Sequence, residues 1–250
     1  MSRKRCVVKA VNSFVSLLVI VALLTAGVYA AYALWDNQQV YEEARDVQLQ
    51  MQELKPDTGD TDSGPSFAEL QTINPDVCGW ITMDGTQIDF PVVQGETNLT
   101  YINTDVYGSF ALAGSIFLDC RNSGDFSDAY QLLYGHHMAD SHMFGDLELY
   151  EDAEFFREHT TGTLMTPDQV YDLHVVACLV ISASDDGIFD VSGNCEEPGR
   201  LVEYVRQNAV NLSDTMPAQA ENVRFLALST CSSDFTDART IVLTTMTPRK

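Results

Sequence analysis

The sequence predicts a mostly β domain, an eight-stranded closed or nearly closed barrel with a few helices, preceded by one N-terminal transmembrane helix. Three observations predict it. An uncharged apolar run fills residues 11–34, about eight short β-type segments follow residue 67, and only two amphipathic helical patterns interrupt them. Many strands with few crossover helices argue for a barrel rather than a doubly wound sheet.

The apolar run reads VNSFVSLLVIVALLTAGVYAAYAL. As a helix rising about 1.5 Å per residue it reaches roughly 36 Å, more than the ~30 Å hydrocarbon core of a bilayer. Arg3, Lys4, Arg5 and Lys9 precede it and the first acidic residue is Asp36. The positive-inside bias therefore predicts a cytoplasmic tail over 1–10, a signal-anchor helix over 11–34, and an extracellular remainder held at the cell membrane. Ala31-Tyr32-Ala33 has the form of a cleavage site, but the run is longer than the roughly 7–15 residues of a signal-peptide core, so a retained anchor is expected.

Of the 14 Lys and Arg, four precede the anchor, so ten bases face 36 acidic residues beyond it, a formal charge of −26. Such a surface excludes nucleic acid as a partner and attracts cationic groups, amines included. The cysteines stand at 6, 78, 120, 178, 195 and 231, without a C-x-x-C pair. Zinc-ribbon and thioredoxin readings are thereby dropped. Five lie beyond the anchor, so at least one is unpaired unless it bonds another chain.

After the anchor, Val40, Ala44, Val47, Met51 and Leu54 recur at alternating spacings of four and three. They predict a juxtamembrane amphipathic helix that packs on its own domain. KPDTGDTDSGPS (55–66) reads as a linker, so residues 35–66 form a connecting unit and 67–250 the main domain. Strands are predicted at 79–83, 87–94, 114–120, 130–136, 162–166, 170–182, 223–231 and 239–247. Asp84-Gly85 marks a hairpin turn between the first two. Helices are predicted at 150–159 and 198–210, the second with Pro198 in its first turn and Leu201, Tyr204, Val205 and Ala209 on one face.

Cys231 ends the strand LALSTC, where a side chain reaches a rim. His136 and His137 end another strand, in LLYGHHMADSHMF, where Gly135 allows close approach or a bulge. Arg239 opens the strand after Cys231, so one sheet end collects a thiol, an imidazole and a guanidinium: a nucleophile, an acid/base and an anion stabiliser. On spacing alone Cys231 is equally a small buried core residue. His136, His137 and His142 with Asp140 match no standard metal spacing, and neither metal nor cofactor is expected.

STC with arginine eight residues after the cysteine, and YGHHM about 95 residues upstream, resembles the sortases, membrane-anchored cysteine transpeptidases of Gram-positive bacteria. The resemblance is close to class B. It runs through NPDVCGWITMDGTQIDFPVVQGETNLTYI (74–102), GSIFLDCRN (114–122), YGHHMADSHMFGDLELY (134–150) and the terminal strand, covering residues 67–247. A helix in the long connection before Cys231 also fits that class.

The resemblance implies Cys231 as nucleophile, His136 as acid/base and Arg239 as oxyanion and substrate stabiliser. It makes Ser229, Thr230, Asn98 and Ile102 candidate substrate contacts. Ser232 stands where some relatives carry an acid. The implied partners are secreted proteins bearing a C-terminal LPxTG- or NPxTx-like sorting signal, cleaved after threonine, and an acceptor amine of peptidoglycan or of a pilin lysine. A cysteine hydrolase of the papain type lacks its nucleophile-helix motif here. A silent binding domain would tolerate serine at 231.

Overall fold

The structure, a computed structural model, describes residues 2–56, 66–138, 142–231 and 238–249, the side chains of residues 2–6, 10 and 231 excepted. The chain divides into two compact units, residues 1–42 and 43–250. Helix α1 covers Ser2–Gln52. Among the described residues it is long and apolar enough to cross a membrane, and the side chains of its apolar stretch are exposed.

In the second unit the last turns of α1 lie on the domain's own core. Met51 is buried, and Val47 and Leu54 pack beside it on a cluster built around Trp80, Val77, Val93 and Tyr101. Lys55 pairs with Asp89 at 2.6 Å, and the Trp80 indole donates to the same carboxylate at 2.7 Å. Lys55, read as linker from its polar neighbours, is therefore part of the domain. Residues 57–65 of the expected linker lie outside the described residues.

Helix α2 (Phe67–Ile73) comes next, then strands β1 (Val77–Met83), β2 (Asp89–Val93), β3 (Ile116–Leu118) and β4 (Tyr130–His136). A 3-10 turn at Gly145–Glu151 leads into α3 (Ala153–Glu158), β5 (Thr161–Met165) and β6 (Val170–Ser182). Short helices α4 (Asp186–Phe189) and α5 (Val191–Glu196), then α6 (Pro198–Asn208), precede β7 (Asn211–Leu212), β8 (Arg224–Cys231) and β9 (Ala238–Pro248). Eight strands close in the order β5-β1-β2-β3-β4-β8-β9-β6, with β6 pairing back to β5 and the two-residue β7 added on β6. The mostly β barrel expected from the sequence is the fold observed.

Two local differences have identifiable causes. The helix expected at 150–159 is a 3-10 turn followed by α3, because Asp152 breaks the run. Its carboxylate accepts from the Glu154 and Phe155 N–H groups, both at 2.9 Å, as an N-cap does. Helix α2 was hidden among β-type neighbours, yet Ser66 and Glu69 form a capping box in which the Ser66 N–H donates to Glu69 Oε2 at 3.0 Å. Gly85 sits at φ +78° in the β1–β2 connection, and a Cβ there would lie 2.0 Å from the His159 ring.

Strand β8 lies between β4 and β9, so Phe225–Thr230 are buried on both faces. That burial is why the run reads as continuous apolar sequence rather than alternation. A second core, under α4–α6, gathers Tyr130, Leu132, Ala227, Leu179, Leu201 and Val205. It anchors the lower part of β4 and β8, leaving their C-terminal ends at the rim.

Candidate active site

Strands β4 and β8 run parallel, and their register ends with His136 opposite Cys231. Strand β9, antiparallel to β8, begins at Ala238 and places Arg239 at that same end of the sheet. The three residues singled out by the sequence thus occupy three neighbouring strands at one barrel end. The parallel pair is joined by a long connection that itself contains three strands, β5, β6 and β7, and no local signal specifies it. Gly135 is not a bulge, since the register runs unbroken past it. It makes room instead: a Cβ there would lie 2.4 Å from Ile116 Cδ1 and 2.7 Å from the Phe144 ring.

The two histidines face different surroundings. His136 Nε2 lies 2.8 Å from the Ile102 carbonyl oxygen. His137 Nε2 lies 3.0 Å from Glu148 Oε1 on the 3-10 turn. Alternation along the strand separates them. His142 is half-buried. Asp140, Ser232 and the Cys231 side chain lie outside the described residues. Arg239 is half-buried on β9, across from Ile181 of β6.

The four candidate substrate contacts divide. Ser229 is fully buried, its hydroxyl donating to the Thr230 carbonyl at 3.2 Å. The Thr230 hydroxyl, also buried, accepts from the Thr240 N–H at 3.1 Å and ties β8 to β9. Asn98 is half-buried, and both ends of its amide are bonded: Nδ2 donates to Asp119 Oδ2 at 2.9 Å and Oδ1 accepts from the Cys120 N–H at 2.7 Å. Ile102 is half-buried and contributes its carbonyl to His136.

Asp119 was not singled out from the sequence, though D-x-R at a strand end carried a signal. Its side chain is wholly buried and accepts from Arg121 Nε at 2.8 Å and NH2 at 2.7 Å, from Asn98, and from the Tyr134 hydroxyl at 2.9 Å. Burial alone would raise this carboxyl. The hydrogen bonds from Arg121, Asn98 and Tyr134 outweigh burial and hold it below the usual carboxylate range. Asp119 therefore joins Tyr134, two residues before His136, to Asn98, four residues before Ile102.

Replacing Asp119 with asparagine is expected to cost about 2 to 3 kcal/mol at neutral pH, because it leaves buried donors without their charged acceptor. With the native value depressed, the carboxylate contributes above its unfolded value near ~3.9, and that contribution disappears as pH falls through the native value. The gap between the wild-type chain and Asp119→Asn should therefore narrow below about pH 4. Urea midpoints at pH 7 and pH 3.5 check this; coincident midpoints at pH 7 would sink it.

Cys78, Cys120, Cys178 and Cys195 are all free. Burial pushes the thiols of Cys78 and Cys178 up to about 12 and raises that of Cys195 as well. Thiols so shifted stay protonated and unreactive at neutral pH. Cys120 is exposed, on the loop after β3.

A closed eight-stranded barrel that brings a cysteine, a histidine and an arginine to adjacent strand ends defines a class of cysteine enzymes that act by acyl transfer. No protein-family model matches the chain. Sortase B of Staphylococcus aureus is 31% identical to it over 173 residues, covering 69% of this chain and 70% of the relative. A Streptococcus pyogenes class B sortase involved in pilus biogenesis superposes with TM-score 0.65 at 38% identity, covering 72% of this chain and 97% of that one. Sortase B of Bacillus anthracis, solved in complex with AAEK1, gives TM-score 0.71 at 30% identity over 84% and 99% of the two chains. The chain belongs to the class B sortases, and it is a cysteine transpeptidase.

Proposed function

We propose that the protein is anchored in the cell membrane by α1, with its N-terminus cytoplasmic and its catalytic domain outside, and joins secreted proteins to an acceptor amine. The observation that carries the site assignment is the register pairing of His136 with Cys231, with Arg239 at the start of the next strand. The Cys231 sulfur adds to the threonine carbonyl carbon of an LPxTG- or NPxTx-like sorting signal. As the C–N bond after threonine breaks, the leaving amine takes a proton from the His136 imidazolium, and a thioester remains on Cys231. The acceptor amine then adds to that carbonyl and gives its proton to His136. Breaking the C–S bond releases the new amide and the thiolate. The Arg239 guanidinium stabilises the oxyanion in both tetrahedral species.

The substrate groove follows the connection carrying Asn98 and Ile102. The burial of the Ser229 hydroxyl, and the bond between Thr230 and Thr240, support packing roles beneath Cys231 for those two. The acceptor is an amine of the peptidoglycan cross-bridge or a pilin lysine. The streptococcal relative's part in pilus biogenesis supports the second, and the ten bases against 36 acids beyond the anchor support a cationic acceptor of either kind.

Ligation to an added amine is expected to outpace hydrolysis, by mass spectrometry of a sorting-signal peptide incubated with a wall-bridge peptide or a lysine-bearing pilin peptide. The benefit of a cationic acceptor should shrink as salt rises from about 0.05 to 0.5 M and the Debye length falls severalfold. Hydrolysed acid as sole product with every amine overturns transfer. Ligation indifferent to salt overturns the charge-steering part.

A further inference from the structure

A backbone carbonyl can only accept a hydrogen bond, so the 2.8 Å contact between His136 Nε2 and Ile102 O requires a proton on Nε2. In the neutral ring Nδ1 is then the basic nitrogen. Among the described residues it has no partner. The hydrogen bond on one imidazole nitrogen decides what the other can do.

The carbonyl is itself held in place from two sides. On one side Gly114, at φ +60°, packs directly on it: a Cβ there would lie 2.3 Å from Ile102 O and 2.6 Å from Tyr101 O. The next residue donates its N–H to Tyr101 O at 3.1 Å, so the turn at Gly114 carries the 101–102 peptides. On the other side Asn98 ties the same connection to Asp119, which also takes the Tyr134 hydroxyl from β4. The loop and the strand that bears His136 are thus bound together at two points.

We propose that the Ile102 carbonyl, seated by Gly114, is the positioning group of the site. It holds the His136 ring with Nε2 protonated and leaves Nδ1 as the nitrogen that moves the proton. Gly114 is the residue that makes this possible, since any side chain there would drive the carbonyl off the ring. The proposal rests on His136 being the acid/base, as read above. It gives the Ile102 position a role carried by its main chain, independent of any substrate contact of its side chain.

The test uses the full-length protein in detergent, selectively 15N-labelled at histidine. Two-bond 1H–15N correlations read the tautomer of His136, and kcat and KM are measured with a sorting-signal peptide and an amine. Two variants weaken the contact. Gly114→Ala displaces the carbonyl. An ester in place of the 102–103 amide, made with the α-hydroxy acid analogue of residue 103, weakens it as an acceptor. The ester removes only the Asn103 N–H, which makes no hydrogen bond among the described residues, so it stays informative if Gly114→Ala fails to fold.

The expected result is an Nε2–H tautomer in the unaltered protein. In the ester the population should shift toward Nδ1–H, with kcat down roughly tenfold and KM within about twofold, a part of the 10²–10⁴ that acid–base catalysis supplies. An Nδ1–H tautomer in the unaltered protein overturns the inference. So does an ester with unchanged kcat, or one whose kcat falls while the tautomer stays as it was. The acid/base reading fails separately: turnover retained by His136→Ala removes that reading and this inference together.

Discussion

Cys231→Ala is expected to reduce turnover of a sorting-signal peptide to background, a loss on the order of a thousandfold or more, while the barrel stays folded. Removing the nucleophile abolishes the thioester, and the positioning that remains has nothing to deliver. The fold should survive because residue 231 ends β8, where its pairing with β4 is made by the main chain, and alanine keeps the Cβ. Burial holds the thiols of Cys78, Cys178 and Cys195 protonated, so among the other described cysteines the exposed Cys120, on the loop after β3, is the one the experiment must distinguish. The measurement is kcat/KM beside circular dichroism, with mass spectrometry of the thioacyl adduct to locate it. Turnover surviving in a folded alanine variant, or an adduct on Cys120, would falsify the nucleophile assignment.

His136→Ala should lower kcat/KM by roughly 10²–10⁴, the range that a positioned acid–base group contributes. His137→Ala should stay within about threefold, because a half-exposed pair with Glu148 contributes little. The contrast is sharp because the two residues are neighbours. One is the register partner of Cys231 and bonds the Ile102 carbonyl, whereas the other turns to Glu148 on the 3-10 turn. Comparable losses at both positions would end the assignment, and so would a severe loss at His137 alone.

Much of this was legible along the chain. The apolar run of α1 and the buried runs of β1, β4 and β8 are local patterns, and local patterns suffice to define elements. That only one of His136 and His137 can face Cys231 follows from the alternation of a strand; which of the two does so came from the resemblance, through the histidine that follows Tyr134-Gly135. The split at Asp152 and the start of α2 at Ser66 were readable too, since a capping residue acts within its own turn. Apolar periodicity, which runs over many residues, masks such single polar signals.

What the amino-acid order by itself determined is which residues carry chemistry and which segments become helix or strand. Only the tertiary structure decided who meets whom. The parallel pairing of β4 with β8 joins residues almost a hundred positions apart, and only closure of the barrel sets that register. Asp119 became a hub because two separate segments bring Asn98 and Tyr134 to a carboxylate already paired with its near neighbour Arg121. The proton on His136 Nε2 is likewise decided by a main-chain oxygen 34 residues away, and a main-chain oxygen has no letter in the sequence. Side-chain identity and local periodicity are properties of the chain. Register, burial and the direction of a hydrogen bond are properties of packing, because each depends on groups that meet only after the chain has folded.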